Sequence, residues 1–151
     1  MENQERIALA LLRERLQGAF ITHFTVGDWW SFSLSTLTGG CWLVAYNITS
    51  DDEVWLDRLI RDHYSLYDTM VDKEYIAKCT LVAASMRRLI TEVTLDEKYN
   101  LTLEFELGGR LLIPVSESIV DWQWYLNETG SDPYHDCLVG CFEGEISVSQ
   151  K

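Results

Sequence analysis

The sequence predicts an α+β fold with antiparallel sheets, built as a tandem repeat of a helix and a three-stranded meander. Polar and apolar residues alternate along three successive segments between Leu89 and Val115, which is typical of antiparallel strands with one buried face. A similar run lies upstream, between Phe20 and Tyr46. Each run follows a segment whose apolar residues recur at helical spacing, so we expect the helices to cover one face of the sheet or sheets.

The two meanders are related by a shift of 69 residues that needs no gap. It aligns Gly39-Gly40 with Gly108-Gly109 and gives 15 identical pairs among 82 (151 − 69 = 82). Chance gives about five or six such pairs for ordinary composition. We therefore expect a single domain, residues 1–151, built from two repeats at approximately 1–69 and 70–151, with each upstream helix on the same face of its meander.

Three helices are expected. The first covers about residues 4–17, and Gly18 is positioned to cap its C-terminal end. The second starts at the capping and acidic residues from Ser50 to Glu53 and runs to about Leu66. The third covers about residues 73–87. The apolar residues of the second helix recur at helical spacing and are expected to face the core: Trp55, Leu56, Leu59, Ile60, His63 and Tyr64.

Alternation also assigns the core face of the strands. In the first meander the expected core residues are Trp30, Phe32 and Leu34 on the second strand, and Trp42, Val44 and Tyr46 on the third. Leu103 of the second meander is the counterpart of Leu34 under the shift. The alternation of Trp122 with Trp124 predicts a further strand over about 121–127. A hairpin turned at Glu143-Gly144 is expected to close the chain.

The charge of the chain bounds its partners. The net charge is −12, from 12 Lys and Arg against 24 Asp and Glu, and the segment 111–150 holds seven acidic residues and no Lys or Arg. Such a field disfavours nucleic acid and anionic membranes, and it attracts a basic protein partner. The first 20 residues lack the apolar stretch of a signal peptide, so a cytoplasmic location is expected.

The sequence predicts neither a cofactor nor a metal site. It contains no phosphate-binding glycine loop and no motif of a serine hydrolase or a zinc peptidase. The cluster of His135, Cys137 and Cys141 lacks the paired spacing and the fourth ligand of a zinc site. The four cysteines are expected to be reduced thiols that pack as small apolar side chains. A non-catalytic protein is therefore favoured, although absence of a motif does not exclude an enzyme.

Tryptophan beside acidic residues is typical of protein-binding hot spots. Trp29 follows Gly27-Asp28, and Trp122 follows Asp121. The residues expected to contact a partner are Glu117, Asp121, Trp122, Asp132 and Asp136, together with Trp29. The alternative set is Asp51, Asp52 and Glu53, because Asp52 aligns with Asp121 under the 69-residue shift.

The run ITEVTLDEKYNLTLEFELGGRLLIPV is followed by DWQWYL and then by CLVGCFEGEISV. This order of strands, glycine hairpin, Trp-containing segment and closing hairpin resembles small bacterial proteins of the polymorphic-toxin immunity type. The resemblance covers about residues 86–149 and, more weakly, 16–55. It implies a small, acidic, cytoplasmic and non-enzymatic protein that blocks a toxin by tight binding. It assigns no functional residues, since such proteins share a scaffold more than binding positions.

Two other functions remain open. A small-ligand-binding or enzymatic α+β domain would use an aromatic pocket between the repeats. A homo-oligomeric structural protein, such as a homodimer, would use exposed strand edges. A convex acidic face favours the binding protein, a deep pocket with converging polar groups favours the second function, and a large symmetric apolar contact favours the third.

Overall fold

The computed structural model describes residues 2–117, 121–130 and 132–149. In these ranges the chain forms three α-helices, nine β-strands and a short 3-10 turn, and it is an α+β fold with antiparallel sheets, as predicted. The elements are α1 (Asn3–Leu16), β1 (Phe20–Val26), β2 (Trp30–Thr36), β3 (Gly39–Ala45), α2 (Glu53–His63), the 3-10 turn (Tyr67–Thr69), α3 (Glu74–Ser85), β4 (Ile90–Leu95), β5 (Leu101–Phe105), β6 (Arg110–Ile113), β7 (Trp122–Asn127), β8 (Cys137–Phe142) and β9 (Glu145–Val148).

The strands form two antiparallel sheets. The larger has the order β1-β2-β3-β7-β8-β9, and the smaller has the order β4-β5-β6. The first meander therefore continues through β7, where Leu43 lies opposite Leu126, into the closing hairpin. That hairpin turns at Glu143 and Gly144, both at positive φ, as the sequence predicted.

Both sheets contribute to one hydrophobic core together with α1. The predicted faces of the second meander are confirmed, because its alternating apolar residues are buried: Val93, Leu95, Leu101, Leu103, Phe105, Leu111 and Ile113. Thr94 and Glu104, on the opposite face, are exposed. Trp30, Phe32, Leu34 and Trp124 are also in the core, as expected.

The predicted face of β3 is wrong. Its residues in the common core are Cys41, Leu43 and Ala45, whereas Trp42 and Tyr46 are half-buried on the other face. Val44, on that same face, is buried as expected, although it lies outside the common core. The reason is the turn before β3. Thr36 pairs with Gly39, so Leu37 and Thr38 make the turn and the glycine pair lies inside the strand. A one-residue change of frame sends every side chain of a strand to the opposite face.

The gapless shift also fails beyond the first strand of each meander. Val26 pairs with Trp30 across three residues, but Leu95 pairs with Leu101 across five. Turn length sets strand register, so Leu34 and Leu103 are not in matching positions. The glycine pairs differ too, since Gly108 and Gly109 have positive φ values of 100° and 87° in a turn.

Several features do follow the 69-residue shift. α1 ends at Leu16 and α3 at Ser85 (16 + 69 = 85). The register of each first strand shifts at Thr22 and Thr91, between the paired residues on either side (22 + 69 = 91). Two residues after each helix, Gly18 and Arg87 have left-handed φ values of 82° and 64°. The duplication itself stays a prediction.

The same two residues join the halves of the chain. The N–H of Gly18 donates to the carbonyl oxygen of Ile90 at 2.8 Å, and the N–H of Arg87 donates to that of Ile21 at 3.0 Å. The 69-residue shift exchanges these two bonds (18 + 69 = 87; 21 + 69 = 90). Reciprocal contacts of this kind are typical of a two-fold relation. A third bond, from the N–H of Ile90 to the carbonyl oxygen of Ala19 at 2.8 Å, completes the junction.

The placement of the first helix differs from the prediction. α1 lies mainly against β4, β8 and β9 instead of the meander that follows it. Arg13 contributes to this placement, because its Nε donates to the carbonyl oxygen of Val93 at 3.2 Å. On α3, the Tyr75 ring meets that of Trp30 at 5.9 Å, and its hydroxyl donates to the carbonyl oxygen of Gly27 at 3.4 Å. Both helices therefore contact strands of the opposite half of the chain.

The core prediction for α2 is wrong. None of its residues is buried, and the Trp55 side chain is 62% exposed. α2 lies against α3 and the 3-10 turn. Helical spacing predicts an apolar side of a helix, but it does not identify what covers that side.

Core packing gives the first testable prediction. Leu103 is 1% exposed, so Leu103→Ala should lower the free energy of unfolding by ~2–5 kcal/mol. Thr102→Ala is the matched control on the same strand, where the half-buried side chain lies on the opposite face, and it should cost much less. Urea unfolding measures both. Equal losses would contradict the assignment of the faces of β5.

The left-handed residues after α1 and α3 give the second prediction. Gly18→Ala should cost about 1–2 kcal/mol, because the new Cβ meets no atom within 4 Å and the whole effect comes from the backbone conformation. Arg87→Gly should gain up to about 1 kcal/mol for the same reason. Gly27→Ala, at ordinary φ and in open space, should not destabilise the protein. A thermal melt in which Gly18→Ala behaves like Gly27→Ala would argue against this assignment.

Candidate functional site

A bulge in β7 builds the candidate site. Trp122 pairs with Phe142 and Trp124 pairs with Cys141, so the register shifts by one residue between the two tryptophans. Trp124 is therefore in the core, while Trp122 lies with Tyr125 on the opposite face of the large sheet. Bulges commonly redirect a side chain in this way.

Trp122 is the centre of a set of ring contacts. Its ring meets those of Tyr125, Trp29 and Tyr46 at centroid distances of 4.8, 5.7 and 6.3 Å, each in an edge-on arrangement. Phe142 continues the set, at 6.5 Å from Tyr125 and 6.3 Å from Tyr134. We call these six residues the aromatic surface: Trp29, Tyr46, Trp122, Tyr125, Tyr134 and Phe142.

The residues of the aromatic surface differ in exposure, from the buried Tyr125 to the exposed Trp29 and Tyr134. Tyr125 is 1% exposed, and burial raises the pKa of its hydroxyl. Trp29 and Tyr134 are 45% and 72% exposed. Edge-on ring pairs add about 0.5–1.5 kcal/mol beyond the burial of their area, so the exposed rings rest on a rigid support.

The loop from Glu128 to Asp136 brings acidic residues to this surface. The Tyr134 hydroxyl donates to Asp121 Oδ2 at 3.2 Å, which fastens the loop to the start of β7. The Tyr134 N–H donates to Asp132 Oδ1 at 2.9 Å. At the far end of β7, the buried Asn127 donates its amide to the carbonyl oxygen of Asp132 at 2.6 Å. Asp136 accepts from Thr129 at 2.7 Å.

The structure thus assembles the first predicted set. Asp121, Trp122, Asp132 and Trp29 meet through Tyr134 and the ring contacts. Glu117 lies beside β7, where its N–H donates to Gln123 Oε1 at 3.2 Å. Within the described residues, no Lys or Arg nitrogen lies within 4.0 Å of the carboxylates of Glu117, Asp121 and Asp132. Asp136 has the neighbouring His135 at 3.2 Å.

The alternative set is mostly neutralised. Asp51 makes two bonds to the Arg110 guanidinium, at 2.6 and 3.0 Å, and these hold the pKa of Asp51 below its usual value. Glu53 is half-buried with Lys78 Nζ at 3.9 Å. Asp52 remains exposed. Asp51 and Glu53 are therefore paired with cations of β6 and α3, which leaves Asp52 as the carboxylate of this set that is most available to a partner.

A cavity of about 580 Å³ lies between the end of α1 and the β2–β3 turn. None of the residues that line it is aromatic: Glu14, Arg15, Gln17, Gly18, Thr36, Leu37, Thr38, Gly39, Gly40, Cys41 and Glu128. Burial raises the pKa of the Cys41 thiol to about 11, so the thiolate needed for nucleophilic chemistry is scarce at neutral pH. This cavity is not an aromatic pocket between the repeats, and the ligand-binding hypothesis stays a prediction.

The other thiols behave similarly. All four cysteines are free, and burial raises the pKa of Cys137 and of Cys141 to about 11 and that of Cys79 in the same direction. Cys41 and Cys141 belong to the core, as the sequence predicted. In the part of the chain that the structure describes, no three His, Cys, Asp or Glu side chains are grouped to hold a metal ion.

Sequence reasoning missed four residues of the aromatic surface, namely Tyr46, Tyr125, Tyr134 and Phe142. Their meeting depends on the bulge in β7 and on the path of the following loop, and neither has a signal in the alternation pattern. The repeated Trp at 122 and 124 followed by Tyr125 was the available hint, since three large rings in four positions exceed what one face of a strand holds.

Comparisons with known proteins identify no relative of this chain. No protein family matches the chain, and neither a curated protein nor a solved structure matches it significantly. None of the described helices has the length and apolar character needed to cross a membrane.

The loop contact gives the third prediction. Tyr134→Phe removes the hydroxyl that donates to Asp121 and should increase hydrogen exchange in the 132–136 segment, while global stability changes by less than about 1 kcal/mol. Tyr64→Phe is the control, because this exposed tyrosine is not part of the aromatic surface. Unchanged exchange in the loop of Tyr134→Phe would show that the hydroxyl does not hold it.

Proposed function

We propose that this protein is a non-catalytic binding protein of the immunity type, which neutralises a basic toxin by occupying its surface. The observation that carries the proposal is the aromatic surface together with the acidic residues that border it, Asp121 and Asp132, which we call the rim. Two tryptophans in contact, Trp29 and Trp122, lie next to carboxylates that have no Lys or Arg partner among the described residues. This combination favours recognition of a cationic protein over catalysis.

The geometry of the two tryptophans suits a binding hot spot. Trp122 is half-buried and touches three other rings, so little side-chain freedom is lost when a partner binds. Trp29 is exposed beside it and offers a ring to an incoming side chain. An Arg or Lys over a tryptophan ring gains about 0.5–2 kcal/mol, more as water is excluded. Tryptophan is enriched among residues that dominate binding energy.

Electrostatics support the same partner. The chain carries a net charge of −12, and the seven acids of segment 111–150 lie in the part that forms most of the aromatic surface. A nuclease toxin fits, because its substrate groove must be basic to hold phosphate. An acidic surface can occupy such a groove without performing chemistry, and opposite charges accelerate the encounter. A nuclease acts on cytoplasmic nucleic acid, so we place the protein in the cytoplasm.

We also propose that the chain arose by duplication of a helix and a meander. The exchanged bonds of Gly18 and Arg87, the matching helix ends and the matching register shifts support this origin. The halves then diverged, since α2 follows the first meander and β7 follows the second. The strand β7 carries Trp122, so the aromatic surface belongs to the diverged part.

Charge reversal at the rim gives the fourth prediction. Asp121→Lys with Asp132→Lys changes the net charge from −12 to −8. The association rate with a cationic nuclease toxin, sought first in the neighbouring reading frame, should fall at least about tenfold at low salt and less at moderate salt. Stopped-flow fluorescence of the tryptophans measures the rate.

The matched control reverses two exposed acids elsewhere, Asp68→Lys with Glu97→Lys, and makes the same change in net charge. If both double variants slow association equally, only the overall charge matters and the aromatic surface is not the contact. If neither does, or if the wild-type protein binds no basic partner, the proposal fails and the ligand-binding hypothesis moves ahead.

A further inference from the structure

A pocket lies beside the aromatic surface, on the face of the large sheet that points away from the core. It has a volume of about 280 Å³ and is lined by Pro133, Tyr134, Cys137, Phe142, Ser147 and Ser149. Two of these residues, Tyr134 and Phe142, belong to the aromatic surface, and their ring centroids are 6.3 Å apart. We call this site the Tyr134–Phe142 pocket. Small-molecule sites occupy about 300–1,000 Å³, so this volume suits one side chain of a partner better than a whole metabolite.

Gly140 fixes one wall of the pocket. A Cβ at Gly140 would lie 2.6 Å from the ring of Phe142 and 2.9 Å from Cβ of Tyr125, so the Phe142 ring rests directly against the backbone of β8. Glycine leaves room for this close approach. Phe142 also stacks on the buried Tyr125, with 26° between the ring planes. This wall is therefore formed before a partner arrives, which reduces the entropy lost on binding.

Carboxylates border the pocket on both sides. Glu145 pairs with Phe142 between β8 and β9, so the two side chains lie on the same face of the sheet. On the other side, the Tyr134 hydroxyl donates to Asp121 at 3.2 Å and the Tyr134 N–H donates to Asp132 at 2.9 Å. Among the described residues, no Lys or Arg nitrogen lies within 4.0 Å of these three carboxylates.

The Tyr134 hydroxyl responds to these charges. Desolvation and the hydrogen bond to Asp121 raise its pKa, and the negative charges of Asp121, Asp132 and Glu143 raise it further. The same field that opposes a phenolate attracts a cation. The pocket thus combines two aromatic rings with a negative potential.

We propose that the Tyr134–Phe142 pocket binds one arginine side chain of the partner, with its guanidinium between the two rings and the bordering carboxylates. Arginine fits better than lysine, because the planar guanidinium stacks on aromatic rings and donates two parallel N–H groups to a carboxylate. The aliphatic part of the side chain can lie along Pro133 and Cys137. The identity of the partner rests on the proposed function, and the pocket adds the group that the partner must present.

This contact explains how binding would block a nuclease. Arginine side chains in a substrate groove hold phosphate through the same two parallel N–H groups. An arginine seated between Tyr134 and Phe142 is withdrawn from nucleic acid. The neighbouring tryptophans, Trp29 and Trp122, then supply contact area, while the pocket sets the orientation of the partner.

A capped amino acid tests the pocket without any toxin. N-acetyl-arginine methylamide is added to the full chain, labelled with ¹⁵N, up to about 20 mM at constant ionic strength, and a Kd on the order of 1 mM is expected for one side chain. The amide resonances of Phe142 and Ser147 should shift most. The citrulline analogue has the same length and a neutral urea group, and it should bind at least about fivefold more weakly. The lysine analogue should also bind more weakly than arginine.

Variants of Tyr134 separate the ring from the loop. Tyr134→Leu removes one of the two rings and should weaken arginine binding at least about fivefold. Tyr134→Phe keeps the ring and loses only the hydroxyl that donates to Asp121, so it should retain most of the affinity. Equal losses in the two variants would assign the effect to the loop and would contradict a contact with the ring.

A charge variant tests the carboxylate border. Glu145→Gln keeps the shape of the side chain and should weaken arginine binding about two- to fivefold. Glu97→Gln is the matched control: it makes the same change in net charge at an exposed acid outside the large sheet, and it should leave the affinity in place. If both variants weaken binding equally, only the overall charge matters and the pocket is not the site.

Three further outcomes would overturn the proposal: no binding of capped arginine, equal or tighter binding of the citrulline or lysine analogue, and resonance shifts at Trp29 and Trp122 instead of Phe142 and Ser147. Each leaves the proposed function in place, because association with a basic toxin is measured separately by charge reversal at the rim. Conversely, a chain that binds arginine in this pocket but binds no basic protein keeps the pocket and refutes the proposed function.

Discussion

The backbone junction between residues 18–21 and 87–90 is the contact on which the rest of the structure depends. Three N–H to carbonyl bonds hold the starts of β1 and β4 side by side, although the strands belong to different sheets. The inner faces of both sheets consequently bury their apolar residues in one core. The junction also draws α1 toward β4 and brings Arg87, which follows α3, to β1. Left-handed residues at 18 and 87 make the turns that this close approach requires.

The second meander was predictable because its polar and apolar residues alternate regularly from Val93 to Ile113 within each strand and its turns fall outside the strands. The first was less so. In β3 the glycine pair was expected in the turn, and its position inside the strand moved the core to Cys41 and Leu43. The sequence predicted the helix α2 correctly, but the prediction that its apolar side packs into the core is wrong. Periodicity describes a helix or strand alone, whereas burial depends on packing between distant segments.

In the candidate site, too, some features were predictable from the sequence and others depend on packing between distant segments. Trp29, Trp122 and Asp121 could be selected from the sequence because tryptophan beside acid has a recognisable chemistry. Asp51 and Glu53 are acidic residues near Trp55 in the sequence, yet Arg110 and Lys78, which are 59 and 25 residues away, form ion pairs with them. The bulge in β7 had no signal at all, although it turns Trp122 away from the core. Sequence shows which charges exist, and only the fold shows which remain unpaired.

The pairing of β3 with β7 has a consequence for synthesis on the ribosome. Leu43 pairs with Leu126, which is synthesised 83 residues later. The large sheet therefore remains incomplete until the C-terminal fifth of the chain has left the ribosome. Until then β3 is an open edge next to the buried residues of β2, and open edges recruit strands from other molecules. The first meander therefore depends on prompt synthesis of the C-terminal fifth, which contains β7, β8 and β9. A chain that stops before β7 should aggregate rather than form a smaller folded protein.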